Sequence, residues 1–314
     1  MKPSEVIWVN GAFVPWAEAK VHVLTHALHY GSSVFEGIRA YATPAGPAVF
    51  CLEAHLRRLF DSCRMARMEL PYSRDELAEA IVTLVARNGH EACYIRPIVF
   101  RGMGSLSLDG RKAPLEMAIA SFEWGRYLGA DALEQGVDVM VSSWRRMAPD
   151  THPAMAKMGG NYVNSSFVAM EAADLGFIEG IALDTQGYVS EGSGENIFLV
   201  RDGVVITPPL SSSILEGVTR GVTLTLCADL GISAREALVP RELLYVADEI
   251  FFSGTAAEVT PVRSVDRVPV GAGRRGPITA RLMEAFFGVA EGRHPDTHGW
   301  LTPVRRGVAA APRG

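Results

Sequence analysis

The sequence predicts an α+β protein divided into two domains. Three observations carry that expectation. The chain has 314 residues, a length that suggests about two domains. Segments with strand-like and helix-like patterns interleave along it. Between residues 122 and 136 the pattern lapses: "EWGRYLGADALEQG" has no clean period and reads as an interdomain loop. The expected division is a small N-terminal α/β domain over 1–121, the loop over 122–136, and a larger C-terminal domain over 137–303. A flexible tail, "VRRGVAAAPRG", is expected over 304–314.

In the first domain, "VIWVNGAFVP" reads as a hairpin with Asn10-Gly11 at the turn. The stretch "AVFCLEAHLRRLFDSCRMARMEL" holds a helix with Leu56, Leu59, Phe60 and Cys63 on one face. Ser73 and Glu76 have capping-box spacing and open a second helix carrying Leu77, Ile81, Leu84 and Val85, which Asn88-Gly89 ends. "ACYIRPIVF" and "LEMAIASF" are strands. The second domain opens with the strand "VDVMVSSW". A helix follows with Val163, Phe167, Met170 and Ala173 facing the core and Gly176 closing it. Strands reversing at Gly187 and Asp202-Gly203 come next, then a helix over about Thr219–Leu230, the strand "ISAREALV", a short helix and "DEIFFSGTAAEVTPV".

Composition narrows the function. The chain is 48% hydrophobic and 21% charged, as expected of a soluble globular protein. A net charge of -5 without a basic face argues against nucleic acid, and no stretch is long and apolar enough to span a membrane. Asn10 and Gly11 interrupt the apolar N-terminal run, so it does not read as a secretion signal. Cys51, Cys63, Cys93 and Cys227 form no CxxC pair and read as reduced packing residues of a cytoplasmic protein. His22, His26 and His29 look like a metal cluster at first glance, but no metal site is expected of them.

Within "AMAKMGGNYVNSSF", Lys157 lies between Ala156 and Met158, ahead of two glycines that admit close backbone neighbours. The plain reading is a surface turn, but a buried lysine would need a reason. "LEGVTRG" and "SGTAAE" each set a glycine just before a threonine. Gly217 and Gly254 allow unusual φ, while Val218, Thr219, Thr255 and Ala256 present N–H groups and hydroxyls to a phosphate or carboxylate. Each turn alone could be simple capping; two of them suggest a ligand with two anionic groups. Glu191, in "DTQGYVSEGSGENIF", is either a charged strand-end residue or a carboxylate that keeps a ring nitrogen protonated. A phosphorylated aldehyde with a basic ring nitrogen joins these features: the lysine amine condenses with the aldehyde, and the carboxylate makes the ring an electron sink. Pyridoxal 5′-phosphate is such a molecule. A free lysine has a pKa of about 10.4, so the amine must be desolvated or set near positive charge to react at neutral pH.

"HALHYGSSVFEGIRAY", "AKMGGNY", "SEGSGENIF", "LEGVTRG" and "FFSGTAAEVTPV", in that order, resemble the class IV pyridoxal-phosphate aminotransferases, and most closely the bacterial branched-chain amino acid aminotransferases. The resemblance runs from about Ile7 to Trp300. It implies the fold of the fold-type IV enzymes: a small α/β domain, a larger pseudo-barrel domain, and the cofactor in the cleft between them. It implies that Lys157 carries the cofactor as a Schiff base and moves the substrate proton, that Glu191 holds the pyridine nitrogen, and that Tyr162 bonds the phenolic oxygen. Arg58, Val218, Thr219 and Thr255 would bind the phosphate, and Leu215 would pack on the ring. Tyr30, Phe35, Trp124 and Tyr127 would wall the substrate pocket, where a neighbouring subunit also meets. Tyr94 with the backbone of Thr255 and Ala256 would take the α-carboxylate, and Arg96 the distal carboxylate of glutamate.

The implied reaction moves an amino group between L-leucine, L-isoleucine or L-valine and 2-oxoglutarate, in a homodimer or higher homo-oligomer acting on small amino acids and 2-oxo acids. The alternatives on the same fold are a D-amino acid or (R)-amine transaminase and an aminodeoxychorismate lyase; a non-catalytic phosphate-ligand binder is the alternative of another class. Arg96 with "FEGIRAY" favours the first reading, and turnover of D-alanine or (R)-1-phenylethylamine above that of leucine would reverse the order. Two departures stand out. "MGSLSLDG" replaces a Gly-Val-Asn-Pro-type loop that touches the substrate pocket, and Glu216 stands where a proline is common.

Overall fold

The computed structural model describes residues 2–125 and 132–304. Among these, one compact unit comprises 2–125, 156–160 and 288–304, and the other 132–155 and 161–287. The interdomain stretch therefore has described structure only at its two ends, and the tail beyond 304 lies outside the described residues.

The first unit holds β1 (Val6–Val9), β2 (Ala12–Pro15), α1 (His26–Tyr30), β3 (Ser33–Phe35), β4 (Ile38–Thr43), β5 (Gly46–Phe50), α2 (Leu52–Met65), α3 (Arg74–Arg87), β6 (Cys93–Arg101) and β7 (Leu115–Phe122). Asn10 and Gly11 have φ of 47° and 94°, the positive values that a two-residue hairpin turn needs. At α3, Ser73 Oγ accepts from Glu76 N, and the Ser73 backbone N–H donates to the Glu76 side chain. Leu56, Leu59 and Cys63 of α2 are buried with Leu77, Ile81 and Leu84 of α3, against Ile38, Ile95, Val99 and Met117 of the sheet. Phe60 packs at the edge of that cluster.

In the second unit are α4 (Ala132–Gln135), β8 (Val137–Arg145), α5 (Tyr162–Asp174), β9 (Glu179–Leu183), β10 (Val189–Gly192), β11 (Asn196–Arg201), β12 (Val204–Thr207), α6 (Val218–Asp229), β13 (Ala234–Glu236), α7 (Leu243–Val246), β14 (Glu249–Gly254), β15 (Glu258–Val265), β16 (Val268–Pro269) and α8, which starts at Pro277 and runs to Ala290. The strands form a mixed sheet in the order β10-β9-β8-β15-β14-β11-β12-β13, with β16 on β15. β17 (Leu301–Pro303) returns to the first unit. There the sheet is antiparallel throughout, in the order β17-β5-β4-β6-β7-β1-β2, with β3 beside β6.

Residues 156–160 belong to the first unit for a direct reason. Phe35 N donates to Lys157 O (3.0 Å), Gly160 N donates to Gly31 O (3.1 Å), and Met158 bridges Val34. The glycines permit this. A Cβ on Gly159 would lie 2.3 Å from Ser33 Oγ, and one on Gly31 would lie 2.9 Å from Gly160 Cα.

Two features differ from the sequence reading. In α5, Val163, Phe167, Met170 and Ala173 are exposed, while Ser165, Val168 and Ala172 are buried. The cause is close packing: a Cβ on Gly180 of β9 would sit 2.6 Å from Val168 Cγ1, so only the small-residue face of the helix fits against the strand. Phe167 instead stacks on Trp144 at 4.7 Å. The second feature is α8, which the sequence reading passes over. Its first turn is capped from β14: Glu249 accepts from Ile278 N (2.9 Å), Thr279 N (2.7 Å) and Thr279 Oγ1 (2.6 Å).

Candidate functional site

Lys157 is buried in the first unit, 9% exposed. Its N–H donates to Ser62 Oγ at 3.0 Å, and its Nζ lies 5.0 Å from the centroid of the Phe35 ring. Burial is the main cause that brings its pKa down from 10.5 to about 8. The Arg58 charge pushes the same way, Glu36 and Tyr94 push back, and Arg96 adds to the lowering. An amine in this setting is neutral often enough to act as a nucleophile near neutral pH.

Around it stand several of the residues expected to bind substrate. Arg96 Cζ lies 4.9 Å from the Phe35 centroid and 5.3 Å from that of Tyr94, and its Nε is buried with no hydrogen-bond partner among the described residues. Tyr94 meets Trp124 edge-on at 4.5 Å. Gly37 leaves room for the tyrosine, since a Cβ there would be 1.8 Å from Tyr94 Oη. Tyr30 takes other partners: it is 47% exposed, its hydroxyl donates to Leu106 O (3.2 Å), and its ring tilts on His26 (4.7 Å). Tyr127 lies outside the described residues.

Arg58 is held by a carboxylate that sequence reasoning missed. Its Nε donates to Glu36 Oε1 (2.7 Å) and its Nη2 to Glu36 Oε2 (2.9 Å). His55 Nδ1 lies 2.9 Å from the same Oε2. Burial alone would raise the Glu36 carboxyl, but the Arg58 charge and the His55 hydrogen bond prevail and hold it far below the usual range. Burial lowers the His55 pKa and keeps the ring neutral, with the Glu36 hydrogen bond and charge opposing. The helical spacing of His55, Arg58 and Ser62 was a usable signal that one face of α2 serves Lys157.

The second unit holds the other expected residues. Glu191, on β10, is buried among three donors: Arg146 Nη2 at 2.9 Å, Asn196 Nδ2 at 3.1 Å and Leu215 N at 3.0 Å. These donors favour its ionised form. Arg146 and Asn196 were not singled out from sequence. Arg146 also donates to Asn164 Oδ1 (3.1 Å) and so ties Glu191 to α5, whose first residue is Tyr162. Asn196 donates to Leu215 O (2.9 Å), which fixes the loop before α6.

Val218 and Thr219 open α6, whose N-cap Gly217 has no side chain to cap the first N–H groups. Those amides and the helix dipole suit an anion. Gly217 was expected to supply an unusual φ. Its φ is -70°, and glycine is required there for space, because a Cβ would lie 1.9 Å from Asn196 Oδ1. Gly254 likewise lies outside the positive-φ region. Thr255 and Ala256 form the half-buried turn between β14 and β15. The exposed Glu216 projects from the loop ahead of α6.

His22, His26 and His29 take separate partners, respectively Leu24 N, the Ser32 hydroxyl with Ser107 O, and Val23 O. No cluster of three or more His, Cys, Asp or Glu suited to a metal occurs among the described residues, and no described helix is long and apolar enough to cross a membrane. All four cysteines are free and buried.

Comparison with known proteins agrees in extent and in fold. Residues 33–265 match the family described as amino-transferase class IV. A branched-chain-amino-acid aminotransferase of Salmonella typhimurium is 52% identical over 306 residues, spanning 96% of this chain and 98% of that protein. The crystal structure of the Escherichia coli branched-chain amino acid aminotransferase superposes with a TM-score of 0.94 at 52% identity, covering 96% of this chain and 100% of the other. The branched-chain aminotransferase of the thermophilic archaeon Thermoproteus uzoniensis, in a structure with norvaline, gives 0.92 at 43%, covering 96% and 100%.

Proposed function

The chain belongs to the class IV aminotransferases, and from that premise we propose that it is a pyridoxal-phosphate-dependent branched-chain amino acid aminotransferase. It exchanges the amino group of L-leucine, L-isoleucine or L-valine with 2-oxoglutarate. The observation that carries this reading is the buried Lys157 amine, with its pKa brought down to about 8.

The donor set fits pyridoxal phosphate. A desolvated amine suits the aldehyde, a buried carboxylate at Glu191 suits a protonated pyridine nitrogen, and the uncapped α6 N-terminus and the Arg58 guanidinium are each chemically suited to a phosphate dianion. Leaving out the Cβ at Gly217 makes room for Asn196, whose amide donates to Glu191 and to Leu215 O ahead of α6. Bound there, the cofactor supplies an aldehyde for condensation and a ring that accepts the electron pair released at the substrate Cα. Lys157 tethers it and then moves the proton at the substrate Cα. Glu191, kept anionic by Arg146, Asn196 and Leu215 N, maintains the ring nitrogen's charge. Tyr162 bonds the phenolic oxygen, and Leu215 packs on the ring face. Arg58, Val218, Thr219 and Thr255 would be the phosphate's ligands.

Substrate choice follows from the first-unit cluster. Phe35, Tyr94 and Trp124 offer apolar surface to a branched side chain. Norvaline, the amino acid in the Thermoproteus uzoniensis structure, has an apolar side chain of the size such a surface suits. Arg96, whose buried Nε has no hydrogen-bond partner among the described residues, receives the distal carboxylate of glutamate. Tyr94, Thr255 and Ala256 would take the α-carboxylate. The enzyme works in the cytoplasm as a homodimer or higher homo-oligomer. The test is a panel of amino donors against 2-oxoglutarate. Leucine, isoleucine and valine should lead; D-alanine or (R)-1-phenylethylamine leading would overturn the substrate assignment.

A further inference from the structure

We propose that Glu36 and His55 are positioning residues that seat the Arg58 guanidinium for a phosphate. The inference rests on the reading above that Arg58 is a phosphate ligand. Glu36 is 0% exposed and His55 2%. An isolated carboxylate at that depth would be costly; this one accepts from Arg58 Nε, Arg58 Nη2, His55 Nδ1 and Gly37 N. A guanidinium is planar and rigid, so a fork through Nε and Nη2 fixes its plane and turns Nη1 away from the carboxylate. The orientation of Arg58 is thereby set by Glu36 and is no longer left to a flexible side chain.

His55 contributes without adding charge. With the ring neutral and its proton on Nδ1, it donates to Oε2 and steadies the carboxylate without setting a second cation beside it. The three side chains then sum to zero charge. A phosphate arriving at Arg58 therefore meets an oriented donor whose counter-charge is already in place.

The connections of Glu36 make the cluster more than a local ion pair. Phe35, its neighbour in sequence, donates its N–H to Lys157 O (3.0 Å), and Glu36 N donates to Pro97 O (2.9 Å). On α2, His55 and Arg58 precede Ser62, which binds Lys157 N. The seat thus joins the strand and the helix that both hold Lys157, and the phosphate end of the ligand is indexed to the reactive amine.

The experiment titrates the cofactor-free protein with pyridoxal phosphate and with pyridoxal, following absorbance, in the wild type and in Arg58→Gln, Glu36→Gln and the double variant. Arg58→Gln should weaken pyridoxal phosphate roughly tenfold or more and leave pyridoxal nearly unchanged, the loss of a charge-assisted contact. Glu36→Gln should produce a loss of the same phosphate-specific kind, and the double variant should bind no worse than Arg58→Gln alone. A phosphate-specific loss in Arg58→Gln without one in Glu36→Gln overturns the proposal and spares the assignment of Arg58. An unchanged ratio of the two affinities in Arg58→Gln overturns that assignment and the proposal with it. Should Glu36→Gln fail to fold, His55→Leu serves. It keeps the ion pair, removes one donor, and should cost roughly threefold in pyridoxal phosphate affinity alone; an unchanged ratio overturns the proposal.

Discussion

Replacing Lys157 by methionine should make the cofactor-free protein more stable at neutral pH, by an amount that disappears as the solution becomes alkaline. The side chain is 9% exposed, and its pKa falls from 10.5 to about 8. At about 1.36 kcal/mol per pH unit, that lowering corresponds to about 3 kcal/mol of unfavourable burial. Below pH 8 the amine is charged in both folded and unfolded chains, and the folded chain bears the full cost. Between about 8 and 10.5 the folded chain has released a proton that the unfolded chain still holds, so wild-type stability rises with pH. Methionine fills a similar volume without a charge. Urea unfolding of both proteins, free of cofactor and measured from about pH 7 to 9.5, reads the difference directly. The variant should be ahead by up to about 3 kcal/mol near pH 7, and the gap should close as pH rises. A gap that does not depend on pH would refute the reasoning, since it would place the amine in water.

Other outcomes follow from individual contacts. Arg96→Met should raise KM for glutamate roughly tenfold or more and change KM for leucine little, because only glutamate has a carboxylate for that guanidinium; steady-state kinetics with both donors checks it. Gly217→Ala sets a methyl against Asn196 Oδ1, 1.9 Å away before relaxation, and should weaken pyridoxal phosphate binding in an absorbance titration. Glu249→Gln removes a charged cap from α8 and should lower stability by about 1–2 kcal/mol in urea unfolding.

Local signals were readable in the sequence. The Asn10-Gly11 hairpin and the Ser73–Glu76 capping box depend on residues close to one another in the chain, and both form as expected. The environment of Lys157 was legible too: its apolar neighbours and the Gly159-Gly160 pair are what let β3 and α2 close over its backbone. What stayed hidden depends on partners far apart in the chain. The Arg58 carboxylate is 22 residues away, and the α8 cap comes from 29 or 30 residues upstream. Hydrophobic period chose the wrong face of α5 because it ranks side chains by polarity, whereas the approach of Gly180 selects them by size. At Gly217 the residue type was informative and the reason was not, since space and φ both call for glycine and only the neighbour Asn196 tells them apart.

The central claim is that one lysine forms the covalent link to the cofactor. Borohydride reduction of the pyridoxal-phosphate-loaded protein, followed by digestion and mass spectrometry, locates that link. The phosphopyridoxyl group should be found on the peptide containing Lys157; its recovery on a different lysine, or on none, would contradict the account.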